Sequence, residues 1–121
     1  MKKRAMQTFV FAGVLISATL SGPLAWAHDE PQRFEITAHR FAFTPGEITV
    51  KKGQPVVLVI KSADVSHGLR FHDLNINVKV SAGGTTEVQF TPDKTGDFVG
   101  HCSVFCGAGH GSMTFKVHVV D

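Results

Sequence analysis

An all-β fold, a Greek-key antiparallel β-sandwich, is what this sequence predicts, on three observations. Apolar and polar residues alternate in short runs, turn residues separate those runs, and no stretch beyond the N-terminal region sustains a helix.

Met1 to Ala27 precede that pattern and read as a secretory signal. Lys2, Lys3 and Arg4 give a positive start, and Thr8 to Leu20 is apolar apart from small residues. Gly22 and Pro23 break a helix, and Ala25-Trp26-Ala27 has the small-x-small form of a cleavage site. The rival reading is an uncleaved membrane anchor, because the uncharged run from Ala5 to Ala27 is long enough to span a bilayer. Either way, residues 28–121 are expected as one small exported domain, periplasmic or on the outer face of the cytoplasmic membrane.

Within that domain Phe34, Ile36 and Ala38 alternate with Glu35, Thr37 and His39, the period of a half-buried strand. Phe41-Ala42-Phe43 continues it, and Thr44-Pro45-Gly46 marks a turn. Ile48 and Val50 sit in a second strand that ends at Lys51-Lys52-Gly53. Pro55 to Ile60 is β-branched and apolar on both faces, which suits a central strand. His67-Gly68 opens an extended piece through Leu69 and Phe71, and Ile76, Val78 and Val80 alternate again before the turn Ser81 to Gly84. Thr86, Val88 and Phe90 form a strand closed by Thr91-Pro92. Gly96 to His101 leads into a glycine-rich loop, and Phe115, Val117 and Val119 finish the chain with Lys116 and His118 pointing the other way.

Composition narrows the function classes. Without Lys2, Lys3 and Arg4 the twelve basic residues fall to nine against ten acidic ones, a formal charge of −1. No Lys/Arg cluster survives of the kind that binds nucleic acid. Two cysteines in an exported chain are by default a disulfide. His110 and Met113 at fixed offsets from them speak against that default, since a structural disulfide has no use for either.

Cys102, Cys106, His110 and Met113 fall at spacings of four, four and three, which would also line one face of a helix. Gly107, Gly109 and Gly111 interrupt the run, each costing about 1 kcal/mol relative to Ala in a helix. The segment therefore reads as a tight loop between the last two strands, at one end of the sandwich. Thiolate, imidazole and thioether are soft to borderline ligands, and that mixture selects copper over magnesium, calcium or manganese. His67 can reach the same end.

An upstream His followed by C-x3-C-x3-H-x2-M resembles the CuA site of cytochrome c oxidase subunit II and nitrous oxide reductase. Beyond the loop, I-T-A-H-R-F-A-F, a P-x-x-I-x-V-x-x-G run, S-A-D-V-S-H-G and N-I-N-V-K-V are similar to the cupredoxin domain of the short, single-anchor type of subunit II. The resemblance implies two copper ions bridged by Cys102 and Cys106. One would also take His67 and Met113, the other His110 and the backbone carbonyl of Val104. It implies a one-electron carrier with no catalysis of its own, served by a redox protein such as a c-type cytochrome. A haem-copper oxidase core subunit, and a copper chaperone or thiol reductant for loading, are further implied partners. Two departures stand out. Val104 replaces the Glu that many oxidase subunits carry between the cysteines, and the Trp through which some members receive electrons is missing from residues 28–121.

The competing readings are a periplasmic copper-handling protein that delivers metal without redox work, and a disulfide-stapled structural domain. The other histidines read as bystanders: His39, His72 and His118 as surface residues, with His118 solvated, and His28 as a chain end. His101 is a candidate hydrogen-bond donor beside Cys102.

Overall fold

The computed structural model describes residues 30–121, together with 12–14, 17 and 22. The rest of the expected leader, with Ala25-Trp26-Ala27 and His28, lies outside the described residues. Among the described residues no helix is long and apolar enough to cross a membrane.

Nine strands follow in chain order among the described residues: β1 (Gln32–His39), β2 (Ala42–Thr44), β3 (Glu47–Lys51), β4 (Val56–Ser62), β5 (His67–Phe71), β6 (Ile76–Val80), β7 (Thr85–Phe90), β8 (Gly96–His101) and β9 (Thr114–Val120). They form two sheets, ordered β2-β1-β4-β7 and β3-β9-β8-β5-β6. The all-β sandwich is the expected one. Its sheets are mixed, because β1 pairs with β4 and β3 with β9 in parallel while the other pairs are antiparallel.

Alternation sets the faces. Phe115, Val117 and Val119 of β9 are buried and Lys116 and His118 face away, while β4 is buried from Val56 to Ile60, as an interior strand requires. The apolar faces meet in one core in which the Phe115 ring packs edge-on against Phe43 (centroids 6.1 Å apart) and Phe71 (6.2 Å). Phe41 does not continue β1. The chain turns back at Arg40-Phe41, so that β2 pairs with β1 through His39 opposite Ala42. Neither turn residue is Gly, Pro, Asn or Asp, so the sequence carries no signal for that hairpin.

Cys102, Cys106 and Met113 belong to the same buried cluster as these apolar side chains. The core thus ends, at one pole, in sulfur.

Candidate metal centre

Two parts of the chain supply the site. His67 opens β5 and is fully buried. The connection from β8 to β9 carries Cys102, Val104, Cys106, His110 and Met113, and its single 3-10 turn spans His110–Ser112. The connection is closed at its base by the backbone N–H of Cys102 donating to the carbonyl of Met113 at 3.0 Å. That bond keeps the first and last ligand candidates in register.

Two glycines let the loop come this close. A Cβ on Gly68 would lie 2.1 Å from Ser103 Oγ and 3.2 Å from the Val104 backbone nitrogen, so a side chain there would force the start of the loop to shift above β5. Gly107 has φ of +137° and faces the Phe41 ring, which a Cβ there would strike at 2.8 Å. Phe41 thereby lies across the loop backbone.

The donor atoms sit in contact. Cys102 Sγ is 3.8 Å from Cys106 Sγ, and both thiols are free and buried. His67 Nδ1 stands 4.0 Å from Cys102 Sγ, and His110 Nδ1 stands 3.7 Å from Cys106 Sγ. Met113 Sδ is 3.8 Å from Cys106 Sγ, and the Cys102 thiol donates to the Val104 carbonyl at 3.2 Å. The metal-binding atoms of His67, Cys102 and Cys106 all fall within 4.8 Å of one another. The structure therefore brings all six sequence-predicted positions to one pole. Each sulfur has an imidazole of its own.

Burial pushes the Cys106 thiol up to about 11, helped by the neighbouring Cys102 sulfur. Without a cation in the site Cys106 stays protonated at neutral pH, and a metal bound there must displace that proton. Asp64, a residue the sequence reading passed over, accepts at Oδ1 from His67 Nε2 (2.6 Å). The backbone N–H of Arg40 beside it, then that imidazole, hold its carboxyl down at about 2. A charged carboxylate can only accept, so Nε2 of His67 carries a proton and Nδ1, facing Cys102, is left for a metal. Arg40 completes the frame by donating its Nε to the Cys106 carbonyl at 3.1 Å. The D-x-x-H spacing of Asp64 and His67 is a signal that sequence reasoning could have used. Nothing in the sequence links Arg40 to Cys106.

Other expectations change. Leu69, four residues before Asp73 and two after His67, is fully buried, so it contributes nothing to the surface beside His67. His118 is not solvated: it is half-buried and hydrogen-bonded to Asp97 Oδ1 (2.6 Å) and Glu47 Oε2 (3.0 Å). His72 and His101 are exposed, and His39 is half-buried with Nε2 3.0 Å from Thr44 Oγ1. The exposed apolar groups at the pole are Phe105, whose ring centre is 5.7 Å from that of His110, and Phe41.

Sulfur and imidazole groups gathered at one pole of an all-β sandwich define the class, a β-sandwich with a His/Cys cluster that could hold a metal. The chain belongs to the cupredoxin-like domain family, which matches residues 8–115. Cytochrome c oxidase subunit 2 of Thermus thermophilus is 36% identical over 78 residues, covering 64% of this chain and 58% of that protein. Nitrous-oxide reductase of Cupriavidus necator is 35% identical over 89 residues, covering 70% of this chain and 14% of the reductase. The chain thus spans less than two thirds of the length of these relatives. The periplasmic domain of cytochrome oxidase subunit II from Bradyrhizobium japonicum shares the fold, with a TM-score of 0.68 at 21% identity over 74% of this chain and 84% of that one. The chain is thus a cupredoxin-like domain related to oxidase subunit II.

Proposed function

We propose that this chain is an exported one-electron carrier in which His67, Cys102, the Val104 carbonyl, Cys106, His110 and Met113 hold two copper ions in a dinuclear CuA centre. The observation that supports it best is the pairing of donors. Two thiols 3.8 Å apart each meet a different imidazole, which provides for two metals where a single-copper site would use one thiol and two imidazoles. The set is dominated by soft donors, with His67, Cys102, Cys106 and Met113 buried and Val104 and His110 half-buried, and the nearby carboxylate of Asp64 is bonded to His67. Hard cations such as magnesium and calcium, which take shells of oxygen ligands, would find a single oxygen in that set, the Val104 carbonyl.

Bound copper supplies a reversible one-electron step. The chain's own part is to hold the donors still and dry. Asp64 fixes His67, Arg40 ties the Cys106 carbonyl, and the Cys102–Met113 backbone bond fixes the loop ends. Donors anchored in this way need little rearrangement when the charge of the site changes. With six positions offered as ligands to the metal, we assign the chain no catalysis of its own.

The partner in this reading is a redox protein such as a c-type cytochrome, with a haem-copper oxidase core subunit as the other candidate. Phe105 and Phe41 give the pole a small apolar patch suited to brief contacts. Val104 in place of an acidic residue makes the docking different from that of oxidase subunits with a Glu there.

The test is metal analysis with optical and EPR spectra of the copper-loaded domain. Two coppers per chain and a purple mixed-valence signal are expected. One copper, or a single strong blue band with a mononuclear hyperfine pattern, overturns the two-copper assignment.

A further inference from the structure

The two sheets treat their charges differently. On the outer face of the four-stranded sheet the cations are matched, Arg33 to Glu87 at 2.6 Å and Lys61 to Glu35 at 3.7 Å. On the outer face of the five-stranded sheet the cross-strand register lays out rows that can be followed away from the ligand loop. Lys79 stands opposite Gly68, next to the loop; then Asn77, Arg70, His101 and Thr114 lie side by side. Val99, Lys116 and Glu47 come next, then Asp97, His118 and Thr49, and finally Val120 opposite Lys51 at the far end. Directly opposed residues share a face, so these side chains form one surface.

The carboxylates in these rows, Glu47 and Asp97, are both hydrogen-bonded to His118. Arg70, Lys79 and Lys116 take part in no salt bridge among the described residues. Beside the loop the face also sinks into a cleft of about 270 Å³ lined by Arg70, His72, His101, Cys102 and Ser103, with no carboxylate in its lining. The nearest acid in sequence, Asp73, lies in the turn beyond His72. Val99, 44% exposed, gives the same surface an apolar spot.

We infer that this basic face, from Lys79 through Arg70 and His101 to Lys116, is a docking surface for a redox partner protein with an acidic patch beside its own redox group. The inference rests on the electron-carrier reading above. Charge complementarity identifies the occupant. Lys116 stands opposite Glu47, but Arg70 in the lining of the cleft and Lys79 near the loop are in no salt bridge among the described residues; such cations steer an opposite charge and raise its encounter rate. Three cations spread over four strands, at about 4.8 Å per strand, cover a protein-sized patch and not a single small ion. They are also fewer than the clusters of 4–8 that hold an anionic membrane. Because Cys102 lines the cleft, a carboxylate seated over Arg70 brings its protein directly against a ligand candidate. The acidic surface is selected by residues away from the apolar pole, so the two surfaces together set orientation.

Two measurements separate this inference from the reading beneath it. The first needs no metal: NMR amide shifts of the copper-free protein titrated with decaglutamate and, separately, decalysine at low ionic strength. Decaglutamate should move the amides of Arg70, His72, Lys79, His101 and Ser103, and decalysine should not. The effect should vanish in Arg70→Glu/Lys79→Glu, persist in Arg70→Lys, and persist in Lys94→Glu, which changes charge in the turn before β8 at the other end of the sandwich. The second uses the copper-loaded protein and hexacyanoferrate(II), which gives up one electron to the loaded site and becomes hexacyanoferrate(III). Its rate should fall with added salt and drop about tenfold in Arg70→Glu/Lys79→Glu, while hexaammineruthenium(II) should show the opposite salt trend. Shifts scattered over both sheets, or an equal loss in Lys94→Glu, overturn the docking surface. So does tighter binding to phosphatidylglycerol vesicles than to decaglutamate, which would make the occupant a membrane. Localised decaglutamate binding by a chain that accepts no electron supports the surface and instead sinks the electron-carrier reading.

Discussion

Asp64 accepts three hydrogen bonds, from the backbone N–H groups of Arg40 (2.8 Å) and Val65 (2.7 Å) and from Nε2 of His67 (2.6 Å). A side chain with that many donors is held in place, and it holds the imidazole in turn. Asp64→Ala removes the acceptor that selects the nitrogen facing Cys102. Such supporting carboxylates typically contribute 10–100-fold to metal affinity, so Cu(I) binding measured by competition with a chromophoric chelator should weaken by about that factor. Nitrogen NMR of the wild-type protein should show His67 with its proton on Nε2, and the variant should lose that preference. An unchanged affinity with an unchanged tautomer would make Asp64 a loop fastener and nothing more. At this scale the ligand candidates were legible, because thiols, imidazole and thioether at short fixed spacing admit few other uses. Arg40 was not, because it meets Cys106 across 66 residues of sequence through a contact that only the fold creates.

At the level of strands, alternation told which residues face the core but not which strand lies beside which. β9 was read with Phe115, Val117 and Val119 inward, and so it is. Its parallel neighbour β3 could not be read, since period-two patterning is the same for parallel and antiparallel partners. The same blindness hid the role of His118, which reaches Asp97 on β8 and Glu47 on β3 only because those strands flank β9. Hydrogen bonds donated by the His118 ring to the two carboxylates, Glu47 first, raise the His118 pKa, and Glu47 is lowered in return. The folded chain therefore binds the imidazole proton more tightly than the unfolded one, and this contribution is complete below the ordinary histidine value of about 6.5. It is lost as pH rises through the raised value of His118. The lowered Glu47 contributes above the ordinary carboxylate value of about 4.3 and is lost as pH falls through its own. The clasp is thus strongest between those two limits. Thermal unfolding of His118→Gln against wild type should show its widest gap between the ordinary carboxylate and histidine values, closing as pH rises through the raised value of His118. A gap independent of pH would mean that His118 contributes packing alone. The copper spectrum should be the same in both proteins, because His118 is a row of strands away from the loop ligands.

Taken whole, the molecule is a sandwich whose core ends in two thiols, and the compartment it is expected to work in threatens them. Cys102 and Cys106 are free, their sulfurs 3.8 Å apart, whereas a disulfide needs about 2.05 Å. A mobile loop closes that gap easily. This one is tied by the Cys102–Met113 backbone bond and by Arg40 on the Cys106 carbonyl, yet both cysteines stand on the same connection between β8 and β9. Two thiols joining lose two electrons and two protons, and an exported protein meets oxidants that accept them. Copper needs the same sulfurs as thiolates, so disulfide and metal compete for one pair of atoms. Apo-protein prepared without reductant should accumulate the Cys102–Cys106 disulfide, take up little Cu(I), and recover full uptake after treatment with a thiol reductant. Burial of both cysteines, with residue exposures of 5% and 4%, means that the reductant must enter through the loop surface, which points to a dedicated thiol reductant or copper chaperone as a loading partner. The comparison to make is Cu(I) uptake by oxidised and reduced apo-protein side by side, with free thiols counted in each. Equal uptake by a fully oxidised sample would refute thiol gating and return the two cysteines to a structural role.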